Sequence, residues 1–410
     1  MELTGARVGG QLSLIGSKVS GKLNMNGVQI GATLFMSDEA EFADVELTGA
    51  HVNHLSLIGS KVSGKLIMNS LRVDETLFMR DTAQFADVEL THARVGALDL
   101  VGSKVSGKLN MNGLQVGASL LMGKAEFADV ELSGARVRGQ ISLRNSKVTG
   151  ELSCYGLEIE QEVFMVNAKF DGLIDCGSAK LKGDLYLDGS QFQQDVNLSG
   201  VEIGGALDLR SAQWSDGVAL ILRNAKISVI PALADAWAPK LDLEGFTYRS
   251  VGAADQFEVW FGKIDRYAPQ PYDQLASIVQ GKGYGTLATS IRYSGRERER
   301  TEATGGKWAW LTTLKWVIGY GYYPQFAIFW VIGLVMAGAI VLRASGEGRR
   351  NGMPFGLAYS FDILLPIIRL RDRHYQIDLK TWARYYFYGH KIMGYVLASF
   401  LIAGLSGLTK

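Results

Sequence analysis

The sequence predicts a mainly β protein: a parallel β-solenoid over residues 1–250, followed by an α-helical membrane domain. Three observations lead to this prediction. A 12-residue sequence recurs at intervals of 43 residues, an apolar residue recurs about every 11 positions, and two uncharged segments of 17 residues lie near the C-terminus. The first two observations concern the solenoid, and the third concerns the membrane domain.

The long repeat reads GSKVSGKLNMNG at residues 16–27 and 102–113, and GSKVSGKLIMNS at residues 59–70. It contains shorter units of about 11 residues, each led by an apolar residue, and 20 such units run from Val8 to Trp214. Apolar residues alternate within a unit, which is the period of a strand, and Gly or Asn then supplies a tight corner. One unit cannot bury its own apolar face, whereas stacked units can. We therefore predict a β-helix with about 22 residues per coil and about ten coils.

Three lines of side chains are expected to face the solenoid core. They are the lead residue of each unit, a Leu four positions later, and a Met or Leu six positions later. We interpret the methionines as adaptable core filler. Cys154 and Cys176 occupy the same third position, 22 residues apart, so we expect stacked, buried and unreactive thiols. The methionines in this line are Met25, Met36, Met68, Met79, Met111, Met122 and Met165.

The repeat fades near Ile227, and residues 241–246 are interpreted as a last imperfect coil. Residues 251–306 are predicted to form a linker with amphipathic helices at 272–280 and 287–300. The second helix ends in the charge run RERER at 296–300, which is typical of a solvated helix face and also suits anionic lipid headgroups. Residues 266–410 hold 18 basic against 8 acidic residues, which favours an anionic surface as a partner.

Residues 307–410 are predicted to form the membrane domain. Its two spanning helices cover about 326–342 and 392–408, and an apolar segment at 355–368 is too short to span and is predicted to be re-entrant or interfacial. A helical hairpin buried in a soluble domain is the alternative. Aromatic clusters beside the spans favour the membrane, because such side chains anchor helices at the interface. The predicted membrane-interface anchors are Trp308, Trp310, Trp316, Tyr322, Tyr323, Tyr385, Tyr386 and Tyr388.

The chain resembles bacterial pentapeptide-repeat-like β-helix proteins with a two-span membrane tail, which are often labelled "membrane-associated oxidoreductase". The resemblance is carried by the KVSGKLNMNG units, by GYGYYP at 319–324 and by FDILLPII at 361–368, and it covers essentially the whole chain. It implies a redox activity. The sequence itself contains no GxxxxGK[ST], HExxH or CxxC motif, and its five histidines lack metal-ligand spacing. From the residues we predict no catalytic residue, cofactor or metal site.

Three classes of function remain open: a membrane-anchored scaffold that presents the solenoid as a binding surface, a two-span pore, and the redox enzyme that the label implies. The GYG at 319–321 resembles a potassium filter, but it precedes the first predicted span and is interpreted as an interfacial turn. The scaffold is our first choice. Its expected partners are the lipid bilayer and either a protein on a solenoid face or a second copy that pairs with the open first coil; nucleic acid is not expected.

The N-terminal sequence MELTGARVGGQL has neither the basic nor the apolar region of a secretory signal. With two spans, this predicts a bacterial inner membrane protein whose solenoid and both termini lie in the cytoplasm.

Overall fold

The computed structural model describes residues 1–231, 236–323, 325–353, 355–365 and 370–405. The chain divides into two compact units, Met1–Lys282 and Gly283–Lys410. The boundary falls inside the segment that was predicted to be a linker.

The first unit is a parallel β-solenoid of about 11 coils with about 22 residues per coil. The predicted register is confirmed: Val148, Phe170, Phe192 and Trp214 lie above one another in successive coils. The strands form two sheets on different sides of the coil, and every pairing is parallel. Sheet 1 consists of Arg7–Val8, Leu12–Ser13, Gln29–Phe35, His51–Ser56, Arg72–Phe78, Arg94–Asp99, Gln115–Val116, Leu120–Leu121, Arg136–Val137, Ile141–Ser142, Glu158–Ile159, Val163–Phe164, Lys180–Leu181, Leu185–Tyr186, Glu202–Asp208, Lys226–Ile230 and Thr247–Val251.

Sheet 2 follows the same pattern on the other half of each coil. It consists of Lys18–Val19, Leu23–Asn24, Glu41–Phe42, Val45–Glu46, Lys61–Ile67, Gln84–Glu89, Lys104–Asn110, Glu126–Glu131, Lys147–Val148, Leu152–Ser153, Lys169–Phe170, Ile174–Asp175, Gln191–Phe192, Val196–Asn197, Gln213–Trp214, Ala219–Ile221 and Lys240–Asp242. The last strands of both sheets confirm that the imperfect coil at 241–246 belongs to the solenoid.

The three predicted inward lines form the solenoid core. All seven methionines of the third line are buried, and the lead residues from Ile30 to Ile203 are buried with them. Cys154 and Cys176 are buried free thiols, as predicted. A cavity of about 30 Å³ with apolar walls lies beside them, because each thiol is smaller than the Met or Leu that fills this position in other coils.

The corners between strands confirm the predicted role of glycine. Gly27 has a φ of 66°, in the left-handed region that glycine reaches without steric cost, and the corner closes with a hydrogen bond from the Val28 amide to the Met25 carbonyl. Asn, Ser or His takes the equivalent position in some other corners, as His92 does with a φ of 56°.

Helix α1 (Phe257–Phe261) and helix α2 (Pro269–Gly281) complete the first unit. Helix α2 contacts the last strand of sheet 1, Thr247–Val251. The Gln270 and Gln274 side-chain amides donate to the carbonyl oxygens of Phe246 and Tyr248, at 2.7 and 2.9 Å. The two glutamines thus replace the backbone donors that a further strand would supply.

The second unit is helical. Its helices are α3 (Gly285–Glu302), α4 (Gly305–Ile318), α5 (Gln325–Ala344), α6 (Glu347–Arg350), α7 (Leu357–Leu364) and α8 (Ala383–Leu405). Helices α5, α7 and α8 pack against one another, and Val331, Leu364 and Leu397 meet in their shared core. A β carbon on Gly394 would collide with the Leu364 carbonyl, so this glycine lets α8 approach α7 closely.

Candidate functional site

Helix α5 has an unusual surface for its composition. The mean hydropathy of its most apolar window of 18 residues is 2.3, yet only 22% of that window is buried in the protein. Its 20 residues correspond to about 30 Å of helix, which is the thickness of the hydrocarbon core of a bilayer. Among the described helices, α5 alone is long and apolar enough to cross a membrane. Its exposed large apolar side chains are Phe326, Ile328, Phe329, Trp330, Ile332, Met336 and Ile340.

The second predicted span falls on α8, which covers residues 392–405 of it. Residues 406–408 lie outside the described part of the chain. Helix α8 has an exposed apolar surface as well, but its described part is not apolar enough over 18 residues to cross a membrane. A second span is therefore not confirmed. The predicted segment at 355–368 contains the short helix α7, and its last three residues lie outside the described residues.

Five of the eight predicted anchors are exposed: Trp308, Trp310, Trp316, Tyr385 and Tyr388. The other three, Tyr322, Tyr323 and Tyr386, are half-buried. Their role as membrane-interface anchors stays a prediction, and the sequence alone could not place the neighbours that partly cover them.

The Tyr323 ring stacks on Phe326 and meets Tyr293 edge-on, and the Tyr386 ring lies beside Phe387 and His390. Two exposed tryptophans, Trp330 and Trp382, were not among the predicted anchors.

A buried Asp–His pair joins α7 to the segment that follows it. The Asp362 carboxylate is fully buried and lies 2.6 Å from Nδ1 of His374, which is also buried. It accepts hydrogen bonds from the backbone amides of Leu370 and Arg371, at 2.6 and 3.2 Å, and Tyr375 donates to the Asp362 carbonyl. The carboxylate therefore has its partners within the protein, and its position fixes residues 370–375 against α7.

Glu347 plays a similar part at α6. Its buried carboxylate accepts hydrogen bonds from the backbone amides of Lys380 and Thr381 and from Nδ2 of Asn351, all at 3.0 Å. Burial alone would raise the pKa of Glu347, but these hydrogen bonds outweigh burial and the pKa is lowered. Glu347 is thus an ionised group that holds the chain entering α8.

Ser360 and His390 form a second buried pair between α7 and α8. The Ser360 hydroxyl lies 3.2 Å from Nε2 of His390, and Gly338 on α5 leaves the space that the hydroxyl occupies. A serine beside a histidine can begin a nucleophilic dyad, but Ser360 is fully buried. Asp362 lies two residues further along α7, on another side of the helix, and pairs with His374. The two pairs join helices rather than forming one reactive site.

The charge run at 296–300 is paired within the helical unit. The Glu297 carboxylate accepts from Arg300, from Lys315 Nζ at 2.8 Å and from the Tyr320 hydroxyl at 2.9 Å, so it joins α3 to α4 and to the turn after α4. Burial alone would raise the pKa of Glu297, but these three donors lower it to about 2. The prediction of a solvated face is therefore wrong for Glu297 and Glu299, because Lys315 and Lys307 of α4, which lie outside the run, pair with them.

The outer surface of the solenoid has ladders of opposite charges. In several coils the residue before the lead position forms an ion pair with its counterpart one coil away, and the distances are 3.1 Å for Lys18–Glu41, 2.8 Å for Lys104–Glu126 and 2.9 Å for Arg136–Glu158. These groups are mostly exposed, so each pair contributes little to stability. The ladders instead define flat polar surfaces along the sheets.

Candidate metal ligands do not converge in the described part of the chain, where no group of three His, Cys, Asp or Glu residues is placed to hold a metal ion. His51 pairs with Asp74 at 2.8 Å on the solenoid surface. The partners of His374 and His390 were missed because they are 12 and 30 residues away in the sequence. One signal was available: Asp362 is the single charge in the apolar segment 355–368, and an isolated charge in such a segment is typically buried and paired.

The chain was compared with family models, with curated proteins and with solved structures, and none of the three comparisons finds a match.

Proposed function

We propose that the chain is a membrane-anchored scaffold, in which the helical unit binds the lipid bilayer and the solenoid presents its outer surface to a partner. One observation carries the proposal: a helix of bilayer length leaves most of its strongly apolar surface uncovered by the protein. Soluble monomers rarely expose large continuous apolar surfaces, whereas lipid tails cover them without cost.

The composition of the helical core supports the same proposal. Its buried carboxylates Asp362 and Glu347 have hydrogen-bond partners within the protein, while the outer sides of α5 and α8 bear large apolar residues. This is the distribution that a hydrocarbon solvent selects, because an unpaired charge in lipid is costly. The exposed Trp308, Trp310 and Trp316 on α4 suit the interfacial layer.

The solenoid is suited to recognition because its side chains repeat at the ~4.8 Å spacing of stacked strands. Partners then meet long, flat rows of side chains rather than a deep active site. We propose a bacterial inner membrane location with the solenoid in the cytoplasm, and a protein or a second copy as the partner. Among the described residues, no observation favours a pore or a redox enzyme over this scaffold.

An introduced cysteine tests the arrangement. Ile15→Cys places a thiol at a solenoid position whose side chain is 50% exposed, while both native thiols are buried. A membrane-impermeant maleimide should label this variant in inverted membrane vesicles and leave it unlabelled in intact spheroplasts, with the unsubstituted chain as the control. Labelling in intact spheroplasts would place the solenoid outside the cytoplasm, and recovery of the chain in the soluble fraction would reject the anchor.

A further inference from the structure

The outer surface of sheet 1 has a groove of about 680 Å³ near the end of the solenoid. It is lined by residues 180–182, 202–204, 226–228 and 247–249, which lie in four successive coils. Its volume lies in the range of sites for small ligands. All of these residues belong to the first unit.

The shape of the groove follows from one ladder of outward positions. Lys182 and Arg249 occupy its two ends, and Gly204 and Ser228 lie between them. Three strand spacings of ~4.8 Å separate the two ends, which places their α carbons about 14 Å apart. A bulge adds to the hollow, because residues 204 and 205 together lie opposite Ser228 alone. The result is a floor of glycine and serine between two long cationic side chains.

The charge of the groove is unbalanced. Its lining contains four cationic side chains, Lys180, Lys182, Lys226 and Arg249, and one acid, Glu202. Glu202 pairs with Lys226 at 2.9 Å.

The neighbouring acids are also engaged, since Glu158 pairs with Arg136 and Glu160 with Lys182. Within the described residues, Lys180 and Arg249 form no ion pair. Two cations without a direct ion pair among the described residues therefore border the groove, and Lys180 attracts Glu202 only at longer range.

We propose that this groove binds a phosphate-bearing ligand. A phosphate carries up to two negative charges and several acceptor oxygens, which match a lysine, an arginine fork and a serine hydroxyl around a shallow floor. The ligand is either a free phosphate compound or a phospholipid headgroup, since both offer the same group. This proposal gives the scaffold a ligand. It rests on the proposed function in one respect only, namely that the solenoid is the part of the chain that binds a partner.

The test uses the full-length chain in detergent and two probes, inorganic pyrophosphate and a soluble short-chain phosphatidylglycerol, followed by titration calorimetry. We expect saturable binding of at least one probe, and we expect the double variant Lys180→Gln/Arg249→Gln to weaken it by about tenfold or more, because charged hydrogen bonds are lost. Binding of pyrophosphate alone identifies a free phosphate ligand, and binding of the lipid alone identifies a headgroup.

Two further variants make the result specific. Ser228→Leu fills the floor without changing charge and should also weaken binding by about tenfold. The matched control Lys61→Gln/Arg94→Gln removes the same two charges from exposed solenoid positions outside the groove and should leave binding unchanged. Absence of saturable binding, or an equal loss in the control, would overturn the proposal. A chain that remains in the membrane and binds neither probe would reject the groove while leaving the anchor intact.

Discussion

Four aspartates of the solenoid each face a glycine in the next coil. Asp87 lies in the strand Gln84–Glu89, which is one residue shorter than the strands on either side of it. The backbone pairing between these strands therefore shifts register near Asp87. Its Oδ1 accepts the hydrogen bond of the Lys108 amide at 3.0 Å, which replaces the missing backbone acceptor. A β carbon at Gly107 would collide with this carboxylate. The pairs are Asp44–Gly64, Asp87–Gly107, Asp129–Gly150 and Asp184–Gly205.

We predict that Gly107→Ala destabilises the solenoid by about 1–3 kcal/mol, because the new methyl group displaces Asp87 and leaves the Lys108 amide without an acceptor. Gly21 is the matched control: it occupies the same place in the repeated 12-residue sequence, but a β carbon there meets no atom within 4 Å. Thermal unfolding should show a lower midpoint for Gly107→Ala and no comparable loss for Gly21→Ala. Equal midpoints for the two variants would contradict the clash.

The two cysteines also allow a test at the level of single residues. The side chains of Cys154 and Cys176 are 1% and 8% exposed, and their mutual hydrogen bond, followed by burial, raises the pKa of Cys176 well above its usual value. We predict that a thiol reagent modifies neither cysteine in the folded chain and both after denaturation. The exposed thiol of Ile15→Cys is the positive control. Rapid modification of a native thiol in the folded chain would contradict its inward position.

At the scale of elements, α2 caps the end of sheet 1. The spacing of Gln270 and Gln274 is four helical residues, about 6 Å, and this matches the ~6.6 Å between alternate residues of a strand. Helical side chains therefore reach the two carbonyl groups of Phe246 and Tyr248 in succession. The cap covers an edge that would otherwise attract another strand.

We predict that Gln270→Glu/Gln274→Glu weakens this cap by about 1 kcal/mol for each lost hydrogen bond, because a carboxylate cannot donate. Hydrogen exchange of residues 247–251 should become faster in the double variant. Gln84→Glu, at an exposed position in sheet 2, controls for the added charge. Unchanged protection of residues 247–251 would show that α2 does not stabilise the edge through these amides.

The stability of the contact between α3 and α4 should depend on pH. The pKa of Glu297 is lowered from 4.5 to about 2, so its ionised form stabilises the fold above pH 4.5, and this contribution is lost as the pH falls toward 2. Accordingly, the thermal midpoint of the helical unit should fall between pH 5 and pH 2.5. Glu297→Gln should be less stable at pH 5 and should show a smaller decrease with acid. An equal decrease in both proteins would assign the acid dependence to other groups.

At the scale of the whole molecule, the sequence predicts the regular part of the fold well and the irregular part poorly. The 11-residue period is sufficient to place Phe170 above Val148 and Cys176 above Cys154, because every coil repeats the same geometry. The Asp–Gly pairs were not predicted, and three of the four, all except Asp184–Gly205, lie where consecutive coils differ by one residue. The helix α2 was predicted, but its role as a cap was not.

The helical unit shows the same limit. Its apolar helices follow from composition, whereas Asp362–His374 and Ser360–His390 join residues that no local pattern connects. The outward apolar surface of α5 and the inward position of these pairs are the observations behind our proposal that the helical unit binds lipid and the solenoid binds a partner in water.

Alkaline carbonate extraction of membranes that contain the full-length chain tests this claim most directly. The treatment removes peripheral proteins but leaves helices that are embedded in the hydrocarbon core. We predict that the chain stays in the pellet, and that Phe329→Glu/Met336→Glu, which places two charges on the exposed side of α5, releases a larger fraction. Complete release of the unsubstituted chain into the supernatant would contradict the membrane anchor.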